Sequence, residues 1–176
     1  MKHLLILFVS LSVSLNLLAQ QTPCCQNKFT NFTIDQTFHI GSCLVPRAIR
    51  DKYFASSNGA IGRKDGGQFI VPQAYMSEIL RIAYNPNNQC YYSRCIMELL
   101  GVMGSSWSDD TQWVRFDIKN LEELHISLPA STNPGADSLF VPGGFTICGI
   151  PERVIDQASL DYVSDSLNIR ICPNLK

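Results

Sequence analysis

Seven cysteines, Cys24, Cys25, Cys43, Cys90, Cys95, Cys148 and Cys172, stand behind an N-terminal segment with the pattern of an export signal. Met1-Lys2-His3 supplies a positive start, the run from Leu4 to residue 18 is apolar, and Ala19 is a small residue at a cleavage position. That run, diluted by Ser10, Ser12, Ser14 and Asn16, is about 15 residues long, short of the ~20 that a membrane span needs. Cys24 and Cys25 lie too far beyond Ala19 to form a lipobox. The expectation is a signal peptide at residues 1–19 and a single secreted domain at 20–176, with no stable membrane insertion. Exported cysteines oxidise, so the domain is expected to be stapled by disulfides in an extracellular or periplasmic space.

Cys90 and Cys95 are the first candidates for a local bridge, because Asn85-Pro86-Asn87-Asn88 turns the chain just ahead of them. The other pairings stay open, and the odd count leaves one thiol over or one bridge between molecules. Metal is not expected. The cysteine spacings do not repeat a C-x2-C pair, and His3, His39 and His125 stand apart from the cysteines. Asn31-Phe32-Thr33 forms a glycosylation sequon that matters only in a eukaryotic secretory pathway.

Composition narrows the function classes. Hydrophobic residues make up 45% of the 176-residue chain, charged residues 16%, and the net charge is −1. Disorder needs the opposite balance, and a nucleic-acid binder usually shows a basic excess, so no nucleic-acid partner is expected.

Along the chain, residues 32–40 alternate loosely and read in part as a strand. Pro46 suits a first helical turn, continued to Phe54; a polar loop follows through Gly67, and Phe69-Ile70-Val71 reads as a short strand. Pro72 then opens a helix with Met76, Ile79, Leu80 and Ala83 at helical spacing, and a second helix near Tyr92 places Ile96, Leu99, Leu100 and Met103 likewise. From Thr111 the period changes to two. Val114, Phe116 and Ile118 face one way, and Arg115 and Asp117 the other, as a solvated pair or a substrate contact on a half-buried strand. Short strands are expected at 126–128, 139–141, 145–148, 153–155 and 167–171. The fold class is α+β, with helices mainly in the first half of the mature domain and mostly antiparallel strands in the second.

The common catalytic motifs are absent: no G-x-S-x-G, H-E-x-x-H, G-x-x-x-x-G-K-[ST] or strand-to-helix G-x-G-x-x-G occurs. What remains is an order of small motifs. Phe38-His39-Ile40-Gly41-Ser42 comes early, Gly66-Gly67-Gln68-Phe69-Ile70-Val71-Pro72 leads into a helix bearing Tyr75, and Phe140-Val141-Pro142-Gly143-Gly144 runs on to Gly149-Ile150-Pro151-Glu152. In that order they resemble the ADP-ribosyltransferase superfamily. A closer resemblance is to secreted C-terminal domains of bacterial polymorphic toxins, including NAD-cleaving necrotising-toxin relatives. Its carriers are Asp65-Gly66-Gly67-Gln68-Phe69-Ile70-Val71-Pro72, Val114-Arg115-Phe116-Asp117 with Asn120-Leu121, and Pro142-Gly143-Gly144-Phe145-Thr146-Ile147-Cys148-Gly149-Ile150-Pro151-Glu152.

The resemblance implies an exported toxin or effector that cleaves NAD or transfers ADP-ribose, with NAD as substrate and a protein target or an immunity or inhibitor protein as partner. It implies Glu152 and His39 as catalytic residues. Phe69 and Tyr75 would stack on nicotinamide, Gly143 and Gly144 would let backbone approach the ligand, and Arg115 would contact it. A carboxylate near the ribose is stabilised more strongly as oxocarbenium charge develops than in the ground state. The alternative is a non-catalytic, secreted, disulfide-rich binding or inhibitor module. Trp107 and Trp113, which flank Ser108-Asp109-Asp110, are either core residues or the frame of a sugar- or peptide-binding loop.

Overall fold

The computed structural model describes residues 24–25, 38–56, 59–63, 67–102, 107, 110–133, 136 and 140–173. The signal segment, the Asn31 sequon, residues 32–37 of the first expected strand, Asp65-Gly66, Met103, Ser108-Asp109 and Leu139 lie outside the described residues.

Strand β1 (Gly41–Pro46) runs into helix α1 (Arg47–Ser56), and β2 (Gln68–Pro72) into α2 (Gln73–Ala83). A small hairpin of β3 (Tyr84–Asn85) and β4 (Cys90–Tyr91) precedes α3 (Ser93–Leu100). After β5 (Gln112–Ile118) comes a long irregular stretch, then β6 (Arg153–Ile155) and β7 (Val163–Arg170). The main sheet has the order β6-β2-β1-β5-β7, and every neighbouring pair is antiparallel. The fold is therefore α+β and disulfide-stabilised, with α1, α2 and α3 all preceding residue 101. The centre of the sheet nevertheless comes from the first half of the chain. The runs at 126–128 and 145–148 are not strands: they contribute only the single bridges Ser127↔Val154 and Phe145↔Pro151.

Local chemistry explains the helices. Pro72, with φ −57°, occupies the position before α2, where its missing N–H costs nothing, and Met76, Ile79, Leu80 and Ala83 are all buried. Helix α3 buries Cys95, Ile96, Leu99 and Leu100 and stops at Gly101, whose φ of 67° suits a residue without Cβ. One sheet face, through Leu44, Val71, Trp113 and Ile169, packs on these two helices. The other face, through Cys43, Val45, Ile70, Val114, Phe116 and Ile155, packs on Ile61, Leu121, Leu124 and Ala158.

Because both faces are covered, Arg115 and Asp117 are not the solvated pair that alternation suggested. Asp117 is 3% exposed. Its carboxylate accepts from Arg115 Nε at 2.8 Å and Nη2 at 2.9 Å, from Ser42 Oγ at 2.5 Å and from Gln73 Nε2 at 2.8 Å. Arg115 Nη1 also donates to Ser77 Oγ at 3.3 Å. Burial pushes the Asp117 carboxyl up, but the bonds from Arg115, Ser42 and Gln73 and the Arg115 charge outweigh it and hold the group below its ordinary value. The network ties β1, β5 and α2 together beneath the helix start.

Three disulfides join described residues: Cys24–Cys95, Cys25–Cys148 and Cys90–Cys172, with Cys43 free and buried. The local Cys90–Cys95 bridge is thus corrected. Cys90 lies in β4, which aligns with the chain end beyond β7, where Cys172 N–H donates to Tyr91 O at 2.9 Å. Cys95 sits in the first turn of α3 and turns to the core beside Cys24. The sequence separations are 71, 123 and 82 residues, and loops of that length restrict the unfolded chain by about 4–5 kcal/mol each in the chain-entropy account. Such bridges point to an oxidising environment. No described helix is long and apolar enough to cross a membrane.

Two outcomes follow. Asp117→Asn removes the counter-charge of the partly buried Arg115 guanidinium and disturbs the buried bonds to Ser42 and Gln73, and chemical denaturation should register a loss of about 3 kcal/mol. The folded Asp117 value lies below the unfolded one of about 3.9, so its contribution is complete above roughly pH 4 and fades as pH falls through the folded value. The variant should therefore lose part of the acid-limb slope, and an unchanged slope would count against the network. Non-reducing peptide mapping should recover a Cys90–Cys172 peptide, and Cys90→Ser with Cys172→Ser should cost about 2–5 kcal/mol.

Candidate functional site

The segment from Pro142 to Glu152 folds back on itself. Gly143 and Gly144 have φ of 103° and 77°. The φ of Gly144 strains any residue with a Cβ, and a Cβ there would also press on the ends of the Arg153 and Leu128 side chains, at 2.6 Å and 2.7 Å, which would have to move aside. Thr146 N–H donates to Ile150 O at 2.8 Å, Gly149 N–H to Thr146 O at 2.9 Å, and Glu152 N–H to Gly144 O at 2.8 Å. Arg153 Nη1 closes the base by donating to Glu152 O at 2.7 Å and Gly144 O at 3.2 Å, and its guanidinium lies 5.3 Å from the centre of the Phe38 ring. This hairpin delivers Glu152 to the end of β6, immediately before the pair Arg153↔Ile70.

Glu152 thereby reaches a cavity of about 280 Å³. Its floor is Ser42 and Leu44 of β1 and Phe69 and Val71 of β2. One wall is Met76 with Leu100, Gly101 and Val102 at the end of α3, and the other is Phe140, Val141, Phe145 and Thr146 of the hairpin region. Trp107, Arg63 and Gln68 are also among the lining residues. Trp107 also meets Trp113 edge-on at 5.3 Å between ring centres. A carboxylate, a guanidinium and several aromatic side chains thus line one cavity, the kind of mixed lining that takes a small molecule.

Of the residues singled out in the sequence, Glu152 and Phe69 line this cavity together. Trp107 joins them, and the other residues expected to catalyse or bind lie elsewhere. His39 is exposed just ahead of β1 and does not line it. Tyr75 is half-buried on α2 and packs against the helical core, where desolvation pushes its phenol up. Arg115 is engaged by Asp117 and Ser77. Gly143 and Gly144 shape the hairpin rather than the lining.

Sequence reasoning passed over Arg63, which lies in no motif, and gave no role to Gln68 and Thr146, although both stand inside the quoted motifs. Trp107 carried a signal, since it was already marked by its spacing from Trp113.

Cys43 also borders the cavity, but burial first and the Asp117 charge second push its thiol up to about 12. It stays protonated at neutral pH and is a poor nucleophile. Among the described residues no group of three or more His, Cys, Asp or Glu is placed to hold a metal.

Gly144→Ala puts an alanine at a positive φ and against Arg153, so it should lower stability by about 1–3 kcal/mol in thermal or denaturant unfolding. A neutral substitution would mean that the turn relaxes more readily than its contacts indicate. Compared with known proteins, the chain matches no protein-family model, and no curated protein matches it significantly.

Proposed function

We propose that the chain is an exported toxin- or effector-like domain whose cavity takes the nicotinamide–ribose part of NAD and cleaves the bond between them, by hydrolysis or by transfer of ADP-ribose to a protein target. The observation that carries this reading is the meeting of Phe69 and Glu152 in one cavity, although 83 residues separate them in sequence. Phe69 offers a ring face for nicotinamide. Glu152 offers negative charge where the ribose becomes positive in the transition state. In the hydrolytic case water adds to the anomeric carbon, the carbon–nitrogen bond breaks, its electron pair leaves with nicotinamide, and the proton of the attacking water passes to a base or to solvent. The three disulfides and the export-signal pattern support a location outside the cytoplasm.

The exposure of His39 away from the cavity favours a second reading, in which the same cavity holds a flat ligand without turning it over. Incubating the oxidised mature protein with NAD and separating the products by chromatography distinguishes the two. Release of free nicotinamide is expected, and Glu152→Gln should reduce it at least about tenfold, or about 1.4 kcal/mol in the barrier, with the fold intact. Binding without turnover supports the non-catalytic module. Absence of both binding and turnover of NAD overturns the proposal.

A further inference from the structure

Cys24 and Cys25 are consecutive, yet they bridge to the two elements, α3 and the Glu152-bearing hairpin, that supply opposite walls of the cavity without lining it themselves. Cys24 is bonded to Cys95 in the first turn of α3, and Cys25 to Cys148 at the tip of the Glu152-bearing hairpin. One peptide unit, about 3.8 Å between Cα atoms, thus straps two walls that are 50 residues apart where Cys148 Sγ lies 3.2 Å from Glu98 O. Ile150 anchors the returning arm of the hairpin in the helix-facing core, whereas Ile147, beside Cys148 at the tip, is 55% exposed, so the tip itself is held mainly through Cys148. Thr146 packs near Gly101 at the end of α3, so the wall-to-wall contact and the strap lie at the same place. Cys90–Cys172 binds β4 to the chain end and lines no part of this cavity.

We infer that the Cys24–Cys25 strap licenses the cavity: the ligand site is assembled only when both of its bridges are oxidised, so the chain is inert in a reducing compartment and becomes competent after export. This rests on reading the cavity as the ligand site. Each bridge forms by thiol–disulfide exchange. A cysteine thiolate attacks an organic disulfide and expels one thiolate, the partner cysteine attacks the mixed disulfide and expels the other, and the two cysteine protons end on the two thiols released. Two electrons pass from each cysteine pair to the organic disulfide.

The test uses the oxidised mature protein and two paired variants, Cys25→Ser with Cys148→Ser and Cys90→Ser with Cys172→Ser. Trp107 lines the cavity whereas Trp113 is 0% exposed, so acrylamide quenching of the native protein reports chiefly on the cavity wall. The first variant should keep its far-ultraviolet circular dichroism, gain at least about twofold in quenching, and lose at least about tenfold in nicotinamide release. The second should melt earlier but keep wild-type quenching and turnover when folded.

If the first variant does not fold, graded reduction of the wild type followed by alkylation mapping replaces it. Loss of the cavity signal should then track the opening of Cys25–Cys148 or Cys24–Cys95 and not of Cys90–Cys172. Wild-type quenching with the strap open overturns the inference. Absence of NAD turnover in the oxidised wild type overturns the function proposed above, while the quenching arm still decides the strap.

Discussion

The fold depends on a strand that is buried along its whole length. All six residues of β1 are buried; one edge pairs with β5 throughout, the other pairs with β2 at Gly41 and Ser42, and its two faces feed two separate cores. A segment so enclosed can carry a polar side chain only if that side chain is satisfied within the protein. Ser42 meets the requirement through Asp117, and Asp117 in turn through Arg115 and Gln73. The polar network is thus the condition under which the central strand can contain a serine, and it sits directly beneath the first turn of α2.

The same enclosure explains what the sequence concealed. Gly41-Ser42-Cys43-Leu44-Val45-Pro46 shows no clean alternation because neither face is solvated, so its strand character is weak by pattern. Helices α2 and α3 were legible because each has one wet face, which preserves the 3.6 period in Met76, Ile79, Leu80 and Ala83 and in Ile96, Leu99 and Leu100. Alternation in β5 was read correctly as a strand and wrongly as half-wet, since a buried ion pair and a solvated one have the same letters. The disulfide pattern was beyond local reasoning. Its separations of 71 to 123 residues are set by tertiary packing, and only the presence of bridges could be anticipated.

The candidate site was legible to a smaller extent. The glycine-rich approach to Glu152 and the aromatic at Phe69 could be picked out, because a tight turn and a ring beside a polar strand end leave marks in sequence. Arg63 joins the cavity through loop geometry, which leaves none. Placing Glu152 at the end of a hairpin whose base is closed by Arg153 gives its carboxylate a position determined by backbone hydrogen bonds, not by the flexibility of a loop.

The unpaired Cys43 bears on how the chain reaches this state. Six cysteines can pair in about 15 ways, and a seventh competitor multiplies the wrong ones. Cys43 lies on the central strand, so pairing of β1 with β2 and β5 removes its thiol from solvent and leaves it in the protonated, unreactive form. A chain that forms its sheet before it oxidises therefore withdraws one competitor from the exchange. A chain oxidised before the sheet forms exposes all seven to mispairing. The order of collapse and oxidation, more than the final pairing, governs the yield of native protein.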